Sequence, residues 1–295
     1  MFRFIRSIRS HFFHTLFYGS GPDTCTSSSI MDIPDILPDA FANMLSYICT
    51  GAVKNLNRDN VFETMSCAAK YDILLLVAQC TQFILSNLNT DNCLEVLDKA
   101  VHCTCSELAL CIKDECLRLI DESAEAVWQS DRICAIGQDT LEIVLQRDTL
   151  AVDEATICSS VEKWAAATCR QRNIEVSSRN RRNVLGKALY LVRFPLLTET
   201  QLLDGPAKTG LLLESELWDI FHYKHATVKP GLRFRTEARE TIVHVFSPEE
   251  DNREFESYIS MENLLDPAKG YVNPGDFSLK LQAYMTADLL SATFK

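Results

Sequence analysis

The densest run of metal-ligating side chains in this sequence is His102-Cys103-x-Cys105 with Cys111 and Cys116. A structural zinc site needs four donors in paired C-x2-C or H-x3-5-H spacing, and this run contains neither pair. His222 and His225 are three apart and could share a helix face, but two donors do not make a catalytic metal site. No metal and no cofactor are expected. The nucleophiles and bases are equally scattered: there is no G-x-S-x-G, P-loop, G-x-G-x-x-G or H-E-x-x-H, and spacing pairs none of the six histidines with an acid and a nucleophile. The chain reads as a protein with no catalysis of its own.

The strongest local charge feature is basic. Arg170, Arg172, Arg179, Arg181, Arg182, Lys187 and Arg193 face one acid, Glu175, within the same stretch. Such a block is a candidate for gripping phosphate or an acidic partner segment, the alternative being a solvated loop between helices. Without interleaved aromatic residues it makes a poor site for single-stranded nucleic acid. The chain as a whole carries a net charge of -11, which repels polyanions, so neither nucleic acid nor an acidic membrane is an expected partner. No apolar run approaches the ~20 residues of a membrane span.

These residues need elements to hold them. At 295 residues, 47% hydrophobic and 23% charged, the chain has the composition of a soluble globular protein with room for about two domains. Most of its twelve cysteines fall inside helical apolar patterns, where a reduced thiol acts as a small hydrophobe. Phe41, Met44, Leu45 and Ile48 recur at helical spacing up to a stop at Thr50-Gly51. Asp59 is the expected N-cap of a helix burying Val61, Phe62, Met65 and Ala69. Ile73 to Leu85 is so apolar that it should lie between other helices.

From Thr90 onward the pattern is helix after helix. Cys93, Leu94, Leu97 and Val101 form one stripe and Leu108, Ile112, Cys116 and Leu119 the next, with Ser106 as cap. Ile157, Val161, Trp164, Ala165 and Thr168 form another. Asp139 with Glu142, and Thr198 with Gln201, have capping-box spacing. The sum is a mainly α chain in which antiparallel helical pairs form an array.

The residues also carry a family resemblance. Ser10 to Gly19 (SHFFHTLFYG), Ile33-Pro34-Asp35, Phe41-x-x-Met44-Leu45-x-Tyr47-Ile48-Cys49-Thr50-Gly51 and Ala68-Ala69-Lys70-Tyr71 resemble the second half of a BTB/POZ domain. Val161-Glu162-Lys163-Trp164-Ala165, Leu189-Tyr190-Leu191-Val192-Arg193-Phe194-Pro195 and Lys229-Pro230-Gly231-Leu232-Arg233-Phe234 look like a BACK domain and its exit, as in BTB-BACK proteins that continue into a PHR domain. Phe255-x-x-Tyr258, Leu264-Leu265-Asp266-Pro267 and Phe277-x-Leu279-x-Leu281 resemble the last strands of a MATH (TRAF-like) domain.

The resemblance implies a partial BTB/POZ α+β fold over 10–88 and a BACK helical array over 89–228. A linker at 229–245 would lead to a β-rich MATH-like fragment at 246–295. Residues 1–9 stand where the family has its opening strands and first helix, so the BTB part is expected to be truncated at the front and its usual dimer altered. Those nine residues, with Arg3, Arg6 and Arg9 among aromatics, also match a mitochondrial presequence. The cytoplasm, or the nucleus, is the expected location.

Proteins of this kind are substrate adaptors of cullin-3 ubiquitin ligases. By that analogy the cullin face would comprise Leu16, Phe17 and Tyr18, the loop Gly21-Pro22-Asp23, Tyr47 and Ile48, extended by the helix pair from Thr90 to Asp121. Family members that bind cullin-3 usually place a hydrophobic residue and a Glu where Gly21 and Asp23 stand. Other implied partners are a protein substrate, of unknown identity, and full-length BTB proteins in a heteromer.

Overall fold

The computed structural model of the chain describes residues 36–53, 55–103 and 106–239, with the backbone alone at 106–108. The expected helix at 10–19, the strand at 30–33, the Gly21-Pro22-Asp23 loop and the MATH-like segment lie outside the described residues. Among the described residues the regular structure is entirely helical. They fall into two compact units: one holds those up to Asn55 and Cys67–Ala78, the other Leu56–Ser66 and the residues from Gln79 on.

In the first unit, α1 (Pro38–Thr50) starts with a proline whose fixed φ suits a first helical turn. It buries Ala40, Asn43, Met44, Tyr47 and Ile48, one face at helical spacing. Gly51 ends it at φ 81, with its N–H donated to the Tyr47 carbonyl at 2.8 Å. Two further helices follow, α2 (Val61–Lys70) and α3 (Leu74–Ser86), of which Cys67–Lys70 and Leu74–Ala78 belong to this unit. Phe41 meets Tyr71 edge-on at 6.3 Å, and the Cys67 thiol lies 3.4 Å from the Met44 sulfur. Asp72, at φ 58, turns the chain between α2 and α3 while Ile73 N–H closes back on the Ala68 carbonyl.

Two expectations change here. Asp59 does not cap α2. Instead Asn57 Oδ1 accepts from the N–H groups of Asp59 and Asn60, and Asn60 Oδ1 accepts from Asn57 N–H. The amide side chains thus close their own turn, which a carboxylate at 59 is not needed to complete. Nor is α3 enclosed: Leu76, Val77, Cys80 and Ile84 are buried, but Leu75 is 57% exposed.

The second unit pairs α4 (Cys93–Val101) with α5 (Ser106–Glu122), followed by α6 (Ala124–Gln129), a 3-10 turn (Asp131–Ala135) and α7 (Gln138–Gln146). Then come α8 (Glu154–Gln171), α9 (Ser178–Leu185), 3-10 turns at Gly186–Leu191 and Phe194–Leu196, α10 (Glu199–Leu202) and α11 (Glu214–His225). The longest, α8, is the axis of the unit and packs against α6, α9 and the turns at 131 and 194. Its predicted stripe of Ile157, Val161, Trp164, Ala165 and Thr168 is buried. Trp164 Nε1 donates to the Ile136 carbonyl at 2.8 Å and Ser160 Oγ to the Trp128 carbonyl at 2.6 Å, so these two buried donors are satisfied, whereas the buried Trp128 Nε1 has no hydrogen-bond partner among the described residues.

Of the two predicted capping boxes, Thr198 with Gln201 forms at α10. Asp139 with Glu142 does not, because α7 begins two residues earlier than that box requires, with Gly137 as N-cap. Asp98, from α4, takes Gly137 N–H at 2.7 Å and Thr140 Oγ1 at 2.6 Å, and this tertiary carboxylate replaces the local box. Residues 229–239, expected as a linker, lie against the helices. Phe234 is buried against Phe194 (ring centroids 5.1 Å) and Tyr190 (5.5 Å), and the Arg233 guanidinium stacks on Tyr190 at 4.3 Å.

Candidate interaction site

Of the predicted cullin face, Leu16, Phe17, Tyr18, Gly21, Pro22 and Asp23 lie outside the described residues. Tyr47 and Ile48 are buried on α1. On the helix pair expected to extend that face, α5 turns Leu110 outward, 54% exposed.

The basic block divides into four parts. Arg181 and Arg182 point inward: Arg181 Nη2 donates to the Thr209 carbonyl at 2.6 Å, and Arg182 donates to the Leu211 carbonyl and, through both terminal nitrogens, to Glu216 at 2.8 Å. This fork ties α9 to the first turn of α11. Burial pushes the Glu216 carboxyl up, but the bonds from Arg182 and the Leu213 N–H outweigh it and hold the group below the ordinary carboxylate range.

Arg170, Arg172 and Arg179 are the second part. All three are exposed, and among the described residues none of their side chains makes a hydrogen bond or ion pair. Lys187 is the third: it is exposed beyond the far end of α9, roughly 12 Å of helix rise from Ser178.

The last arginine of the block, Arg193, is fully buried. It bonds the Asp148 carboxylate and, at 2.8 Å, the Glu237 carbonyl, while its own N–H reaches Glu154 Oε1 at 2.8 Å. Arg239 bonds Glu154 Oε2 at 3.0 Å and the carbonyls of Leu145 and Arg147. Arg235 reaches the Gln146 carbonyl at 3.1 Å. The segment 233–239 is therefore strapped to the helical unit by aromatic packing at one end and charge at the other. Sequence reading missed this cluster, since Asp148, Glu154, Arg193 and Arg239 share no local pattern.

Among the described residues the ten cysteines carry thiols and form no disulfide. Burial pushes Cys67 and Cys93 up to about 11 and Cys116 and Cys158 up to about 12, so these thiols stay protonated at neutral pH and act as core atoms. Among the described residues no three His, Cys, Asp or Glu side chains are grouped to hold a metal ion, and no helix is long and apolar enough to cross a membrane.

The family comparisons agree with the helical architecture. The BTB/POZ domain model matches residues 2–88 and the BACK (BTB And C-terminal Kelch) model residues 93–205. The chain is 34% identical over 240 residues to BTB/POZ domain-containing protein 6-B of Danio rerio, covering 81% of this chain and 48% of that protein. It is 33% identical over 241 residues to BTB/POZ domain-containing protein 3 of Homo sapiens (82% and 45%) and 33% over 240 residues to BTB/POZ domain-containing protein 6 of Homo sapiens (81% and 43%). The chain spans about half the length of these relatives. Proteins with this pair of domains are generally protein-interaction adaptors, often for cullin-3 ligases. By these matches the chain belongs to the BTB-BACK family, with a BTB/POZ domain followed by a BACK domain.

Proposed function

We propose that this chain is a protein-interaction adaptor that recruits a substrate to a cullin-3 RING ubiquitin ligase. The observation that carries the reading is the order of its domains, a BTB/POZ match directly followed by a BACK match. The helical unit supports it physically: a carrier that holds a substrate near a transfer site needs a rigid body, and Arg182–Glu216, Asp98–Gly137 and the strap at 233–239 stiffen this one. The chain then acts by proximity, raising the effective concentration of substrate, while the transfer chemistry resides in other subunits. The MATH-like segment at 246–295 is a candidate for contact with the substrate. Buried reduced thiols such as Cys116 and Cys158 suit the cytoplasm, where we place it.

A second reading is favoured by one specific feature, the Gly21-Pro22-Asp23 loop. It lacks the apolar anchor usual in cullin-binding relatives, and burying an aliphatic side chain contributes about 1.5 to 3 kcal/mol. The chain would then be a non-ligase scaffold or a dominant-negative partner of full-length BTB-BACK proteins. Calorimetry against the N-terminal domain of cullin-3 separates the two, using the chain beside its Gly21→Leu/Asp23→Glu variant. Micromolar or tighter binding by the unaltered chain supports the adaptor. Binding by the variant alone supports the scaffold, and binding by neither removes the ligase reading.

A further inference from the structure

The connector between α8 and α9 combines three properties. Around it stand Arg170 in the last turn of α8, Arg172 in the connector itself and Arg179 in the first turn of α9, all exposed and with no side-chain bond among the described residues. Most of the other described arginines are engaged: Arg118 with Glu115 and Glu122, Arg147 with Asp121, Arg182 with Glu216, Arg193 with Asp148, Arg239 with Glu154. In a chain of net charge -11, three cations left open within ten residues are a local exception.

Between those cations the connector exposes Ile174 (38%) and Val176 (41%). Their position is fixed by the backbone. Asn173 adopts φ 55, Asn173 N–H bonds the Arg170 carbonyl and Ile174 N–H the Cys169 carbonyl at 3.0 Å, a Schellman closure of α8. At the other end Ser177 Oγ accepts from Asn180 N–H at 3.2 Å, and Asn180 Nδ2 donates to the Glu175 carbonyl at 3.0 Å. A connector pinned at both ends loses little entropy on binding, which favours recognition by a preorganised surface.

We propose that this connector is a docking site for an acidic peptide segment that carries aliphatic side chains, on a partner protein. The guanidinium groups of Arg170, Arg172 and Arg179 pair with its carboxylates, where the planar fork allows bidentate contact. Ile174 and Val176 bury its aliphatic side chains, which inorganic phosphate or a nucleic acid backbone does not supply. Net negative charge over the rest of the chain repels an extended polyanion, so a short acidic segment fits better than an anionic bilayer. The site does not depend on cullin binding, and it differs from the sequence expectation, because Arg181 and Arg182 are withdrawn into structure and Lys187 stands apart.

The test is fluorescence anisotropy of the full chain with a labelled glutamate-rich peptide containing two central leucines. Saturable binding that weakens as salt rises is expected, reduced at least tenfold in an Arg170→Ala/Arg172→Ala/Arg179→Ala variant and severalfold in Ile174→Ser/Val176→Ser. Arg58→Ala, an exposed arginine outside the connector, should leave it unchanged. A charge reversal, Arg170→Glu/Arg172→Glu, should exchange the preference for a lysine-rich version of the peptide, which keeps the result readable if the alanine variant folds poorly. Failure of the unaltered chain to bind, equal binding by the triple variant, or equal binding of a peptide with serines for the leucines overturns the proposal. So does arginine-dependent sedimentation with phosphatidylserine vesicles that is tighter than peptide binding.

Discussion

Arg182 on α9 and Glu216 in the first turn of α11 form a bidentate ion pair, both nitrogen-oxygen distances 2.8 Å, in which the carboxylate also accepts the Leu213 N–H. Its side chains are only 16% and 9% exposed, so the pair is shielded from much of the screening that weakens surface bridges. Removing one partner leaves the other charge largely buried.

Arg182→Ala should therefore lower the unfolding free energy by about 3 kcal/mol, measured by urea denaturation at pH 7. The Glu216 carboxyl is held below its ordinary range in the fold, so its contribution is complete above the unfolded-state value and is lost as pH falls through the folded one. Glu216→Gln should flatten that part of the stability profile between neutral and acid pH. A variant whose acid limb matches the unaltered chain would contradict this role for the pair.

The strap makes a separate prediction. Phe234 is enclosed by Phe194 and Tyr190, while Arg193 and Arg239 hold the residues after it through Glu237 and Glu154. Phe234→Ala removes the aromatic anchor and should cost about 3 to 5 kcal/mol if the strap unfolds with the unit. Hydrogen exchange decides: amides of 232–239 should lose protection in this variant and in Glu154→Gln. Unprotected amides in the unaltered chain would mean that the strap is not docked in solution.

These two features also mark where sequence reading stopped. The α8 stripe was legible because Ile157, Val161, Trp164 and Ala165 announce a buried face through spacing alone. The Thr198–Gln201 box was legible because donor and acceptor sit three residues apart. Arg182 and Glu216 are 34 residues apart, and Asp98 and Gly137 are 39 apart, so no local pattern links them. Arg193 shows the limit most plainly: counted among surface charges in a basic block, it is fully buried, because acids and carbonyls from three segments converge on it. The same composition thus read as one patch where the fold makes a clasp, a connector and a buried knot.

The three tryptophans should report the fold optically. Trp128 and Trp164 are each 1% exposed, whereas Trp218 on α11 is 73% exposed. Trp218→Phe should remove the acrylamide-quenchable, red-shifted part of the emission and leave a blue-shifted signal that quenches only on unfolding. Loss of the blue-shifted component instead would place the exposed ring at 128 or 164.

Thiol chemistry gives the last test. The thiolate is the form that alkylates, and at pH 8 a group titrating near 11 is ionised in roughly one molecule in a thousand. Cys67, Cys93, Cys116 and Cys158 should therefore resist iodoacetamide in the native chain, for which both burial and protonation are responsible. Cys49 and Cys103, each partly open, should be modified first. Mass spectrometry of native and urea-unfolded samples reads the difference site by site, and equal labelling of Cys116 and Cys49 in the native chain would contradict the core in which Cys116 is packed.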